Sequence, residues 1–302
     1  SYMTARLLVD KDLVDDCCRA YGYFRWADDM VDETCQSRDE CFSFIKRQRH
    51  LIDQLYRGER LEGLTPEEAI IADLISHDRS EDSRLQSFIR NFLAIIEFDA
   101  HRRGQLITQQ DLTWYSGCLG RAVTDAIQHF IGNGHPYPTG NSHYLAATAA
   151  HITHMLRDMV DDVADGYVNI PREYLEAHSI GPQDVNGPPI RAWVRERVLL
   201  ARRYFCEGKR YIDGLEVLRC KIAAHWYCAR FERLLDIIEE DGYVLRAKYD
   251  GQRKLFSWLG MAALAVAVSL QHVARRVDGA STMSRRPVEL EGSDHTTSER
   301  TA

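Results

Sequence analysis

Two acidic turns set in apolar, aromatic surroundings constrain the fold of this chain more than anything else in it. In the stretch from His151 to Asp165, the residues His151, His154, Asp158 and Asp162 recur at spacings of three, four and four. At about 100° per residue they share one narrow stripe of a helix, with Asp161 and Asp165 at its edge. Near the start of the chain, Tyr21, Arg25, Asp28 and Asp32 form a second stripe of the same kind. Carboxylates one turn apart are common on solvated helix faces. Here, however, Tyr23, Phe24, Trp26 and Met30 surround the first turn, and Met155, Leu156, Met159 and Val160 the second. Unpaired carboxylates so placed repel one another, and burying one without a partner is costly. A fold that tolerates both turns brings them face to face around something cationic. Mg2+, with Mn2+ as its substitute, prefers oxygen ligands and leaves coordination positions open for phosphate oxygens, which makes a diphosphate the natural guest.

The remainder of the sequence reads as helix. Nearly every segment has a period close to 3.6 and almost none alternates. Thr65-Pro-Glu-Glu68 is a capping box with proline in the first turn. Gly132-Asn-Gly-His-Pro136 and Gly166 are stops. The periodicity predicts a single all-α domain over residues 1–277. A polar tail, 278–302, is expected to be disordered. The 302 residues are 45% hydrophobic, enough for a large core. A formal net charge of −7 with no long basic stripe argues against nucleic acid as a partner. Eight cysteines without CxxC or zinc-type spacing read as reduced residues of a cytoplasmic protein, and the chain opens without a secretory signal pattern. The apolar run Leu255–Leu270 falls short of the about 20 residues a membrane span needs. It reads as a buried helix, with peripheral membrane contact as the alternative.

Read as text, Tyr21-Gly-Tyr-Phe-Arg-Trp-Ala-Asp-Asp-Met-Val-Asp-Glu33 and Leu156-Arg-Asp-Met-Val-Asp-Asp-Val-Ala-Asp-Gly-Tyr-Val-Asn-Ile-Pro171 resemble the two signature stretches of the squalene and phytoene synthase family. The resemblance runs from Ser1 to about Leu255. It implies an all-α isoprenoid-synthase bundle whose central cavity binds allylic prenyl diphosphates of the farnesyl or geranylgeranyl type. By the same resemblance, Asp28, Asp32, Asp158 and Asp162 would hold Mg2+. Tyr21, Arg25, Arg157 and His154 would hold the diphosphate, Tyr243 and Arg246 would close over it, and Tyr115 would line the cavity as a catalytic group. Cations and guanidinium forks stabilise a departing diphosphate, and a dry aromatic cavity shelters the carbocation left behind.

Two departures bear on the outcome. The family's head-to-head enzymes usually carry Gln-x-x-Asn before the second acidic turn, where this chain has His151-x-x-His154. On the middle helix, small residues that would let two prenyl chains cross give way to Arg121 and Thr124, and Arg121 is expected to pair with an acidic neighbour on the outer face. Glu97 and Asp99 read as structural. Head-to-head condensation is the favoured reaction. A terpene cyclase working on one diphosphate is the alternative, and a non-catalytic helical binding module a remote one. No glycine-rich dinucleotide turn is present to signal NADPH.

Overall fold

Helices follow one another with short connections because each carries a single apolar stripe and few interior breakers. The computed structural model describes residues 6–78, 80, 82–132, 134–249 and 258–283, with 258, 259 and 276–283 as backbone only. In chain order the helices are α1 (Val14–Asp29), α2 (Arg38–Tyr56), α3 (Pro66–Ser76), α4 (Arg84–Arg102), α5 (Gln109–Phe130), α6 (Leu145–Ala164), α7 (Arg172–His178), α8 (Pro188–Asp213), α9 (Leu218–Glu240) and α10 (Trp258–Met283). The ends expected from the capping box, from Gly166 and from Pro171 fall within a residue or two of these bounds. α10 continues to Met283, past the expected start of the polar tail at 278, and residues 284–302 lie outside those described.

The two acidic helices are anchored differently. α6 is central: its apolar face includes Ala146, Ala147, Ala149 and Ala150, all buried, and it packs against α5, α8 and α9. Small residues there permit close approach. A Cβ built on Gly208 of α8 would lie 2.5 Å from the Ala146 backbone nitrogen. α1 is held by a polar relay. The buried Tyr23 hydroxyl donates to Gln48 (3.0 Å), and the Gln48 amide donates to Glu68 (2.9 Å). Glu68 also closes the Thr65 capping box and takes a two-pronged contact from Arg47. That contact, acting against burial, holds its carboxyl at about 2.

Two features were not foreseen. α1 runs on from Asp29 into a π-helical turn, Met30–Thr34, closed by the Cys35 amide donating to the Met30 carbonyl (2.9 Å). In addition, two two-residue strands, β1 (Gln105–Leu106) and β2 (Tyr167–Val168), pair in parallel. They clip the segment after α4 to the segment after α6. Each strand is preceded by a glycine that the backbone requires: Gly104 and Gly166 adopt φ of +73° and +90°, and the Gly104 amide donates to the Gly166 carbonyl (2.8 Å).

Among the described residues no helix is long and apolar enough to cross a membrane. Of the apolar run expected to be buried, residues 255–257 lie outside those described. Val268 is buried in α10, whereas Val266, Leu270 and Val273 are exposed. The eight cysteines are unpaired; four are buried, and Cys18 and Cys206 are exposed.

Candidate active site

The acidic turns of α1 and α6 meet. Asp28, Asp32, Asp158 and Asp162 line one cavity of about 340 Å³, together with Asp99, Arg102, Tyr115, His151, His154, Met155, Tyr167 and Asn169. The four carboxylates are not equivalent. Burial, then the neighbouring Asp32 and Asp99, push the Asp28 carboxyl up to about 6. Burial, then Asp158, push Asp162 up to about 7. Burial also acts on Asp158, but there it is outweighed by His154 (Nε2 to Oδ2, 3.0 Å) and by a fork from Arg157 (2.5 and 2.6 Å). These contacts hold that carboxyl at about 2. Mutual repulsion therefore describes Asp28 and Asp162 but not Asp158, which has its own counter-charges.

A network that the sequence reading missed supports both turns. Arg102 is buried. Its Nε donates to Asp99 Oδ1 (2.6 Å), one terminal nitrogen donates to Asn169 Oδ1 (2.8 Å), and its guanidinium carbon lies 4.7 Å from the Tyr115 ring centroid. The Tyr115 hydroxyl donates to Asp99 Oδ2 (2.9 Å). Asn169 in turn donates to Asp162 Oδ2 (2.9 Å), and the Tyr167 hydroxyl donates to Asp32 Oδ1 (3.1 Å). Asp99, read as structural from sequence, is a wall of the cavity, and burial raises its carboxyl in spite of Arg102. Glu97 is structural, paired with Arg49 at 2.9 Å. The i, i+3 spacing of Asp99 and Arg102 on a helix was a signal for the pair. The alternation of Tyr167 and Asn169 along β2 would have signalled the rest, had the strand been recognised.

Several residues expected around the diphosphate stand elsewhere. Tyr21 is 72% exposed, and Arg25 is paired with Asp29 one turn on (2.7 Å); neither lines the cavity. Among the described residues, only the upper part of the stripe they share with Asp28 reaches the cavity. Arg157 is turned onto Asp158 rather than into the cavity. Tyr243, in a left-handed conformation at φ +64°, packs against the core, and Arg246 is paired with Asp241. Neither lines the cavity. Among the described residues Arg121 makes no salt bridge on the outer face; its charge acts on the buried Asp125 one turn on. Half-buried, it reaches across to Asn91 Oδ1 on α4 (3.4 Å).

That contact has a place in the fold. A larger cavity, about 840 Å³, opens at the far ends of α4, α5 and α6, among Ser87, Asp125, His129 and His143. None of the four aspartates lines it. Arg121 and Asn91 occupy helix positions between the two cavities. Next to them Gly120 abuts Thr148, whose hydroxyl fills the space a Cβ would need.

The donor set suits a hard divalent ion: carboxylate oxygens in excess of nearby cations, with two of the carboxylates destabilised by burial and then by like charge. Among the described residues no three His, Cys, Asp or Glu side chains converge into a closed metal cage. Mg2+ is commonly held by one or two carboxylates with the rest of its shell supplied by water and phosphate oxygens, and these residues fit that mode.

Helices enclosing a carboxylate-lined central cavity define an isoprenoid-synthase fold, and solved structures agree. The chain superposes on squalene synthase HpnC from Alicyclobacillus acidocaldarius with a TM-score of 0.61 at 20% identity, covering 82% of this chain and 90% of that one. It superposes on a dehydrosqualene synthase in complex with ligand with a TM-score of 0.59 at 15% identity, covering 89% and 90%. Comparison with curated proteins gives no significant match. The squalene/phytoene synthase family model matches residues 1–257, and the chain belongs to that family. It is a squalene/phytoene synthase-like prenyltransferase.

Proposed function

We propose that this protein ionises an allylic prenyl diphosphate with the help of Mg2+ and joins two such substrates head to head, as in squalene- or phytoene-type synthesis. The observation that carries this reading is the convergence of Asp28, Asp32, Asp158 and Asp162, from turns far apart in sequence, on one cavity. Mg2+ bound there would neutralise the diphosphate as it leaves and so stabilise the breaking carbon–oxygen bond. The chain's own residues set the stage for that. Tyr167 and Asn169 fix the orientation of Asp32 and Asp162. His154 and Arg157 keep Asp158 ionised. The rings of Tyr115 and Phe98, 5.2 Å apart, place aromatic faces near the wall where a carbocation would form. Tyr115 lines the cavity, but its hydroxyl is already committed to Asp99.

A second reading has its own support. The Arg121–Asn91 contact and the Gly120–Thr148 abutment narrow the space below the cavity. This favours a cyclase that folds one prenyl chain on itself. Incubation with farnesyl or geranylgeranyl diphosphate and Mg2+, followed by mass analysis, tests the two readings. A hydrocarbon of twice the carbon count establishes condensation, and one of the same count establishes cyclisation. Absence of diphosphate release from both substrates rejects the whole assignment. Parallel incubations with NADPH show whether a reductive step follows.

A further inference from the structure

The site holds one group to which the reaction above gives no task. His151 is only 8% exposed, yet its Nε2 has no hydrogen-bond partner. It lines the cavity with the four aspartates, and its ring stands edge-on to Tyr115, 5.0 Å between centroids at 73°. Buried polar atoms are almost always paired. An unpartnered nitrogen on a side chain that lines a substrate cavity is suited to a partner that arrives with the substrate.

The surroundings say which kind of partner. His154 on the same helix, Arg102 from α4 and Tyr115 from α5 face the ring, and Asp99, Asp158 and Asp162 share the cavity. Burial first, then His154 and Arg102, hold the imidazole well below its ordinary value, so it is uncharged at neutral pH. An uncharged imidazole keeps one nitrogen lone pair. The same environment opposes a lasting positive charge, which makes His151 a poor anchor for diphosphate, and Mg2+ prefers oxygen. His154, half exposed and engaged with Asp158, is differently employed.

Resting on the prenyl-diphosphate reading, we propose that His151 Nε2 is the base that ends the carbocation stage. It removes a proton from a carbon close to the cationic centre. The carbon–hydrogen bond breaks, its electron pair closes a carbon–carbon bond at the cationic carbon, and the proton forms the N–H bond of an imidazolium. That proton then passes to the diphosphate anion released in the same turnover.

The test uses the full chain with His151→Gln and His151→Phe, farnesyl and geranylgeranyl diphosphates and Mg2+, measuring diphosphate released and hydrocarbon formed in the same reaction. Circular dichroism establishes that each variant is folded. Glutamine keeps a hydrogen-bonding side chain but is not basic; phenylalanine keeps the bulk. Hydrocarbon formed per diphosphate released is expected to fall about a hundredfold in both, with prenyl alcohols from water capture in its place. An unchanged ratio, whether or not both rates fall, overturns the proposal, as does a normal ratio in His151→Gln. If the unaltered protein releases no diphosphate from either substrate, the reading on which the proposal rests has failed as well. Release with an unchanged product ratio condemns the role of His151 alone.

Discussion

The Tyr167 hydroxyl donates to Asp32 Oδ1 at 3.1 Å, which ties the first acidic turn to the strand that follows the second acidic helix. Neither end of this bond is predictable from local sequence, since 135 residues separate them. Tyr167→Phe removes the bond and keeps the ring. Because the contact is exposed, the loss in folding stability should stay within about 1 kcal/mol. Asp32 would lose its fixed orientation, and the Mg2+ concentration for half-maximal turnover should rise about tenfold. Titration of activity with Mg2+ checks this.

Asp28 and Asp162 should make the protein less stable as pH rises when divalent cations are chelated. Their folded carboxyls sit at about 6 and about 7, against an ordinary 3.8. Between pH 4 and 7 the folded state thus binds protons that the unfolded chain has released. Stability is fully present below that window and lost as pH rises through it. Thermal unfolding in chelator should show stability declining across that window, less in Asp162→Asn, and Mg2+ with inorganic diphosphate should reverse it. Both Asp28→Asn and Asp162→Asn should reduce turnover at least about a hundredfold.

Arg102 is the hub of the site and a large stabilising element. Arg102→Met leaves the half-buried Asp99 without its ion partner and frees Asn169. Loss of one member of a buried pair typically costs about 3–5 kcal/mol. Urea denaturation should show a decrease near the lower end, since Asp99 retains the Tyr115 hydroxyl. A variant that unfolds at the parental urea concentration would exclude a structural role for the network.

Arg121→Ala should deepen the cavity by removing the side chain that meets Asn91 between the two cavities. The expected outcome is a shift in relative kcat/KM toward geranylgeranyl over farnesyl diphosphate of about tenfold, the order that a few additional buried methylenes contribute. Competition between the two substrates, with products resolved by mass, measures it.

How much of this was legible beforehand follows from the range of the interactions. Helix positions and caps depend on neighbours within a turn, so Thr65–Glu68 and Pro171 marked their ends correctly. The aspartates of both turns could be picked out because solvated helix faces do not set repeated carboxylates among large apolar and aromatic side chains. Residue placement failed where it depended on what lies across the cavity. Tyr21 and Arg25 share the face of Asp28, but both are exposed and neither lines the cavity. Arg157 was read as facing substrate, whereas its adjacent Asp158 captures it. Asn169 and Tyr167 owe their positions to a two-residue strand pair too short to leave a periodic signal. Asp99 looked structural because its partners Arg102 and Tyr115 come together only in the folded chain.

The loosely wound turn at Met30–Thr34 has a consequence for how the first carboxylate pair could change over evolution. A π turn accommodates one residue more than an α turn, and such turns concentrate where function rather than packing decides the geometry. Deleting a single residue there would let the turn close as an ordinary α turn with its two flanks kept in place, changing only which side chains point to the cavity within the turn itself. The anchored half of the helix, from Tyr23 to Ala27, would stay where it is. The aim of Asp32 is therefore set by a local slack in the winding, adjustable without disturbing the core on which the helix rests.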